Sequence, residues 1–191
     1  MNHDTYDDNY IRTILRSVRS IAIVGASPNT VRPSYFLFKY MLERGYDVIP
    51  VNPGQAGKQM LGKTFVASLS ELGRPVDMID IFRASAHVMP VVDEALSLIP
   101  PPRVIWMQLG VRNDAAAAKI EAAGLKVVMN RCPKIEYGRL SSEISWMGVN
   151  SRTLSSKRAP VPVKGVQRLS LDRQSFGGAN TDAADRAARR E

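Results

Sequence analysis

The chain has 191 residues, 45% of them hydrophobic, with a formal net charge of +8 and a single cysteine. That length and composition suit one cored domain with an appendage, and no apolar run nears the roughly 18 residues that span a bilayer. One cysteine beside two histidines excludes an internal disulfide framework and argues against a structural zinc site. The first ten residues, MNHDTYDDNY, are acidic and polar, unlike a secretory leader, so the chain reads as cytoplasmic. Half of the excess charge lies late: residues 143–191 hold nine Lys or Arg against five Asp or Glu. With no basic helix carrying interleaved aromatics, a nucleic-acid partner is not indicated. The excess equally serves solubility or an anionic ligand.

In chain order, residues 6–18 predict a helix with Tyr10, Ile14 and Val18 on one stripe. Residues 20–24 predict the first strand, which breaks into Gly25-Ala26-Ser27-Pro28-Asn29. A helix follows over 35–44, with Phe36, Tyr40 and Met41 near one face and Gly45 as its C-terminal stop. The second strand, 47–51, ends at the Asn52-Pro53-Gly54 turn. After a loop come the third strand, 76–82, and a helix over 87–98 stopped by Pro100, Pro101 and Pro102. The fourth strand is 104–107, followed by the loop Gln108-Leu109-Gly110-Val111. An alanine-rich helix from Asp114 to Ala123, capped by Gly124, precedes the fifth strand, 126–129. The loop Asn130-Arg131-Cys132-Pro133 ends the pattern, and beyond about Leu140 no period persists, so 141–191 reads as a basic, mostly flexible tail.

Five short strands separated by helices predict an α/β fold: a Rossmann-like, doubly wound parallel sheet with helices on both faces, in the order 3-2-1-4-5. Ligands of such sheets bind beyond the carboxyl ends of the strands, which here carry polar or special-backbone loops. The first loop can offer N–H groups and the Ser27 hydroxyl to a pyrophosphate. It lacks the usual dinucleotide glycines: Gly25, Ser27 and Thr30 stand at those positions. No acidic residue follows the second strand to hold a nicotinamide cofactor's ribose, and Asn52-Pro53 there would tolerate a phosphorylated ribose. Arg32 and Lys39 follow the phosphate loop and can meet phosphate charge, although a solvated helix face explains Lys39 as well. Cys132 is either a small buried hydrophobe or a reactive group. Asp77 and Asp80 read as edge or ladder residues of the third strand, and His87 has no visible catalytic partner.

Together GASPN, RPSYF, YDVIPVNPG, Phe82-Arg83, Trp106-Met107-Gln108-Leu109-Gly110, AAGLKVV and Asn130-Arg131-Cys132-Pro133 resemble the small bacterial CoA-binding proteins. Those are similar to the CoA-binding domains of the succinyl-CoA synthetase α subunit and of ADP-forming acyl-CoA synthetases. The resemblance covers roughly residues 9–140 and implies a domain that binds CoA or acyl-CoA. By position, it implies that Gly25, Ala26 and Ser27, with Pro28 and Asn29, hold the phosphates. Asn52 and Pro53 would border the adenosine, and Phe82 and Arg83 would line the adenine and ribose. Gln108, Leu109 and Gly110 would face the pantetheine arm, with Asn130, Arg131 and Cys132 closing its far end. The family often has Asp where this chain has Asn130. About 140 ordered residues have no room for a synthetase's phosphohistidine segment or ATP-grasp domain.

The resulting expectation is a stand-alone CoA or acyl-CoA binder, regulatory rather than catalytic, in which oxidation can join Cys132 to CoA as a mixed disulfide. Two other readings stay open: an NAD(P)-dependent oxidoreductase on the same fold, and a redox-responsive DNA-binding regulator.

Overall fold

In a computed structural model of the chain, residues 1–141 are described. The expected tail lies outside them.

Asp7 caps the first helix, α1 (Asp8–Ser17), its carboxylate accepting from the N–H groups of Asn9 and Tyr10. The apolar runs then form β1 (Ser20–Val24), β2 (Asp47–Val51), a small hairpin of β3 (Gln59–Met60) and β4 (Lys63–Thr64), β5 (Met78–Ile81), β6 (Val104–Met107) and β7 (Lys126–Val128). The connecting helices are α2 (Pro33–Glu43), α3 (Val88–Ser97), α4 (Asp114–Ala122) and α5 (Pro133–Leu140).

The main sheet is wholly parallel in the order β2-β1-β5-β6-β7. It is the expected Rossmann-like arrangement, but the strand order corrects the expected 3-2-1-4-5. The third long strand, β5, lies on the far side of β1 instead of outside β2. The reason is visible in β2. Its Pro50 has no N–H, and its carbonyl accepts from Val66 on the outer side, where a one-residue bridge joins Val51 to Val66. A strand with a missing donor belongs at an edge. β5, buried at every position, belongs inside and pairs on both sides.

Alternation along the strands divides the core in two. Ile21, Ile23, Met78 and Trp106 face α1, α2 and α5, packing with Ile14, Phe38 and Met41. Ala22, Val24, Ile79, Ile81 and Met107 face α3 and α4, packing with Val88, Val92 and Ile120. On α1, Ile14 and Val18 are buried, and Tyr10 is half-buried with its hydroxyl donating to the Val127 carbonyl. On α2 the inward face is Leu37, Phe38 and Met41, and Phe36 is exposed, contrary to the expected stripe. α5 has no counterpart among the expected elements. It is one short helix with Gly138 inside it, held by its packing rather than by a repeating pattern.

Candidate functional site

The chain leaves β1 for α2 on one face of the sheet and leaves β5 for α3 on the other. The carboxyl ends of β1 and β5 are therefore the switch point, the place where doubly wound sheets hold ligands in a crevice. The two loops touch there. Gly25 has φ +88°, and a Cβ on it would sit 3.2 Å from the Phe82 carbonyl oxygen. Its N–H donates to Val51 O at 2.9 Å, and the Phe82 N–H donates to Val24 O at 2.8 Å, so the ends of β2, β1 and β5 are stitched together.

The first loop is braced from inside. Ala26 is fully buried, and its carbonyl accepts from Asn52 Nδ2 at 2.7 Å. Asn52 Oδ1 in turn accepts from the Gly54 N–H. Asn52 thus joins the turn after β2, which includes Pro53, to the first loop, and its amide is spent on the backbone. The Ser27 N–H donates inward to the hydroxyl of buried Ser34 at 3.1 Å. Of the groups this loop was expected to offer, the Ser27 N–H is thus engaged within the protein. The Ser27 Oγ accepts from the Asn29 N–H, which leaves its own O–H to donate outward. Asn29 Oδ1 accepts from the Val31 N–H, and Pro28 has no N–H to offer.

Arg32 is the N-cap of α2 but forms no side-chain cap, and its guanidinium is exposed. Arg83 is half-buried beside Phe82, which packs against the core under α2 and α5. Among the described residues neither arginine has an ion pair. Lys39 lies six residues into α2, about 9 Å along it, and pairs with Glu43 at 3.8 Å on an exposed side. The structure does not bring it to the crevice with the others.

Asp80 is a ladder residue of the third long strand, as expected, but its burial was not legible in the sequence. It is fully buried on the sheet face under α1, α2 and α5, in register between Ile23 and Trp106. Gln108 Nε2 donates to both of its oxygens, at 3.0 and 2.9 Å. Burial pushes this carboxyl up to about 8, with the Gln108 hydrogen bond opposing. The sequence signal was a carboxylate inside the apolar run from Met78 to Phe82. Asp77 contrasts with it. Burial raises that carboxyl, but donation from the Arg19 and Ser20 N–H groups and from Arg103 outweighs burial and holds it below the usual range.

The loops after β6 and β7 are fastened to each other. Asn130 takes a left-handed φ of 53°, and its Oδ1 accepts from the Gly110 N–H at 2.8 Å. A carboxylate there could accept the same bond, so Asn130 keeps the local structure that Asp would supply. Leu109 projects outward, 45% exposed. Arg131 is committed elsewhere: it donates to the carbonyls of Asn130 and Asp4, lies over the Tyr6 ring and approaches Glu136. Its own carbonyl accepts from Trp106 Nε1 at 2.8 Å. Cys132, the N-cap of α5, is half-buried against the core. Burial pushes its thiol up, outweighing the N–H groups of Ile135 and Lys134 that favour the thiolate. His87 is exposed. No group of three or more metal-ligating side chains occurs among the described residues, and no helix among them is long and apolar enough to cross a membrane.

A family model described as a CoA binding domain matches residues 19–138. The chain is 35% identical over 127 residues to the Bacillus subtilis (strain 168) protein YneT, covering 66% of this chain and 91% of YneT. A solved Thermus thermophilus structure is 36% identical with a TM-score of 0.67, covering 71% of this chain and 99% of the other. A Pyrococcus horikoshii OT3 structure is 35% identical with a TM-score of 0.67, covering 74% and 96%.

Proposed function

The chain belongs to the CoA binding domain family, and from that premise we propose that it binds CoA or an acyl-CoA in the crevice between β1 and β5. It does so as a cytoplasmic module, regulatory rather than catalytic. One observation carries the reading: the family match runs from residue 19, beside β1, to 138 in α5, so every loop around the crevice lies within it.

The residues present suit such a ligand. CoA carries a pyrophosphate and a ribose phosphate, and Arg32 and Arg83 are two cations at this end of the sheet with no described ion pair. Arginine's planar fork matches phosphate oxygens. The Ser27 hydroxyl adds a donor, and Gly25 lets the two loops approach without a side chain between them. Asn52 and Pro53 then border the adenosine end, with Phe82 and Arg83 around the adenine and ribose. Leu109 gives the pantetheine arm an apolar contact, while Gln108 and Gly110 shape its path. Asn130 to Cys132 stand at the thiol end. Lys39, paired with Glu43, is the least supported of these residues.

A nicotinamide cofactor draws less support. The position after β2 holds no carboxylate, and the Asn52 amide is already bonded to Ala26 and Gly54. The DNA-binding alternative draws less still, because α1, whose Ile11, Ile14 and Leu15 are buried, is packed on the sheet.

Thermal melts test the reading. CoA at one hundred times its Kd should stabilise the fold by about 2.7 kcal/mol, and NAD should do far less. Equal shifts would overturn it. Ser27→Leu, measured by calorimetry, should weaken CoA binding by at least about 1.5 kcal/mol. Unchanged affinity in a folded variant would move the site elsewhere.

A further inference from the structure

At the opposite edge of the sheet, where β1 and β2 begin, a cleft of about 520 Å³ lies between the ends of α1, α2 and α5. Among the described residues, four arginines line it, Arg12, Arg16, Arg19 and Arg44, and no carboxylate does. The carboxylates on nearby elements are matched to other cations: Glu43 to Lys39, Asp47 to Lys63 and Arg74, Asp77 to Arg103, and Asp8 to Arg139. Among the described residues, Arg12, Arg16 and Arg19 have no ion pair, and Arg12 donates only to the neutral Asn9 Oδ1.

Helix ends explain part of this charge. A helix C-terminus carries roughly half a negative charge, and the effect fades within the last turn. Arg16, in the last turn of α1, and Arg44, at the C-cap of α2, answer it. Arg12 lies a turn earlier, and Arg19 lies beyond the helix. The convergence of Arg12 and Arg19 on one cleft is left over, and among the described residues no carboxylate pairs with either; like charges gathered in this way repel.

The walls add a second chemistry. Leu15, Val18 and Leu140 supply apolar surface, and the Arg44 guanidinium lies 4.8 Å from the Tyr40 ring centre and 5.7 Å from that of Tyr137. The volume suits a metabolite-sized ligand.

We propose that this cleft is a second binding site, for a small organic anion bearing two or more phosphate groups, held by the Arg12, Arg16 and Arg19 guanidinium groups over the apolar wall. It is separate from the crevice at the carboxyl edge and does not depend on what binds there.

The test is calorimetric titration of the full chain with ATP and with inorganic pyrophosphate in low-salt buffer. ATP should bind, pyrophosphate should compete with it, and affinity should fall steeply as salt rises. In Arg16→Gln/Arg19→Gln, whose substitutions lie on exposed side chains, ATP affinity should drop at least about ten-fold. Arg16→Lys/Arg19→Lys, which keeps the charge but not the fork, should lose less. Absence of ATP binding in the wild-type chain would overturn the proposal. So would undiminished ATP affinity in the glutamine variant, or failure of pyrophosphate to compete.

Discussion

Asp80→Asn isolates the buried carboxyl. In the folded chain Asp80 is wholly inaccessible and burial holds its pKa at about 8; in the unfolded chain it titrates near 3.9. Between those values the folded state keeps a proton that the unfolded state has lost. The contribution of Asp80 to stability is therefore complete below about pH 4 and falls as pH rises. Above about pH 8 both states are ionised and the loss stops. The slope within the window is at most about 1.4 kcal/mol per pH unit, roughly 4 to 5 °C in Tm for a fold of this size. Asparagine is nearly isosteric and does not titrate, and Gln108 can turn its amide to present an oxygen. Urea denaturation followed by circular dichroism at pH 5, 6, 7, 8 and 9 should show the variant gaining on the wild type by up to that slope until pH 8, then levelling. All other groups cancel in the difference. Parallel stability curves for the two proteins would refute the reasoning, as would a carboxyl NMR titration of Asp80 with a midpoint near 4.

Gly25→Ala should cost about 1–3 kcal/mol, because it adds a Cβ against the Phe82 backbone to the left-handed φ penalty. Gly45→Ala, at φ +81° with nothing within 4 Å, should cost only about 1 kcal/mol; equal losses in denaturation would dismiss the loop contact. Asn130→Ala should destabilise by about 1–3 kcal/mol, through the lost acceptor for Gly110 and the strained φ, while Asn130→Asp should remain within about 0.5 kcal/mol of the wild type. The same Tm for both Asn130 variants would remove that role. On incubation with CoA disulfide, the Cys132 thiolate should attack one sulfur to form a mixed disulfide and release one CoA thiol, slowly at pH 7 and faster above pH 9, since burial disfavours the thiolate. Intact mass should show a CoA adduct that dithiothreitol removes and that Cys132→Ser lacks; a rate independent of pH would contradict the burial argument.

Much of this protein was legible along the chain. β1, β2 and β6 occupy the residues that their apolar runs mark, because glycine, proline and asparagine stop a strand locally. The crevice loops were legible for the same reason, since they are where those runs break. Pro50 also held, unread, the information that β2 is an edge strand. Other features were decided only by the tertiary structure. α5 is too short to show a period and exists because the sheet offers it a surface. The Ser27 N–H turned inward because folding brought Ser34, seven residues on, beneath it. The state of Asp80 depends on Gln108, twenty-eight residues away, and on complete exclusion of water. The arginine cleft gathers residues from three helix ends that share no motif. Local backbone preference is written in adjacent residues, whereas desolvation and charge convergence exist only once distant segments have packed.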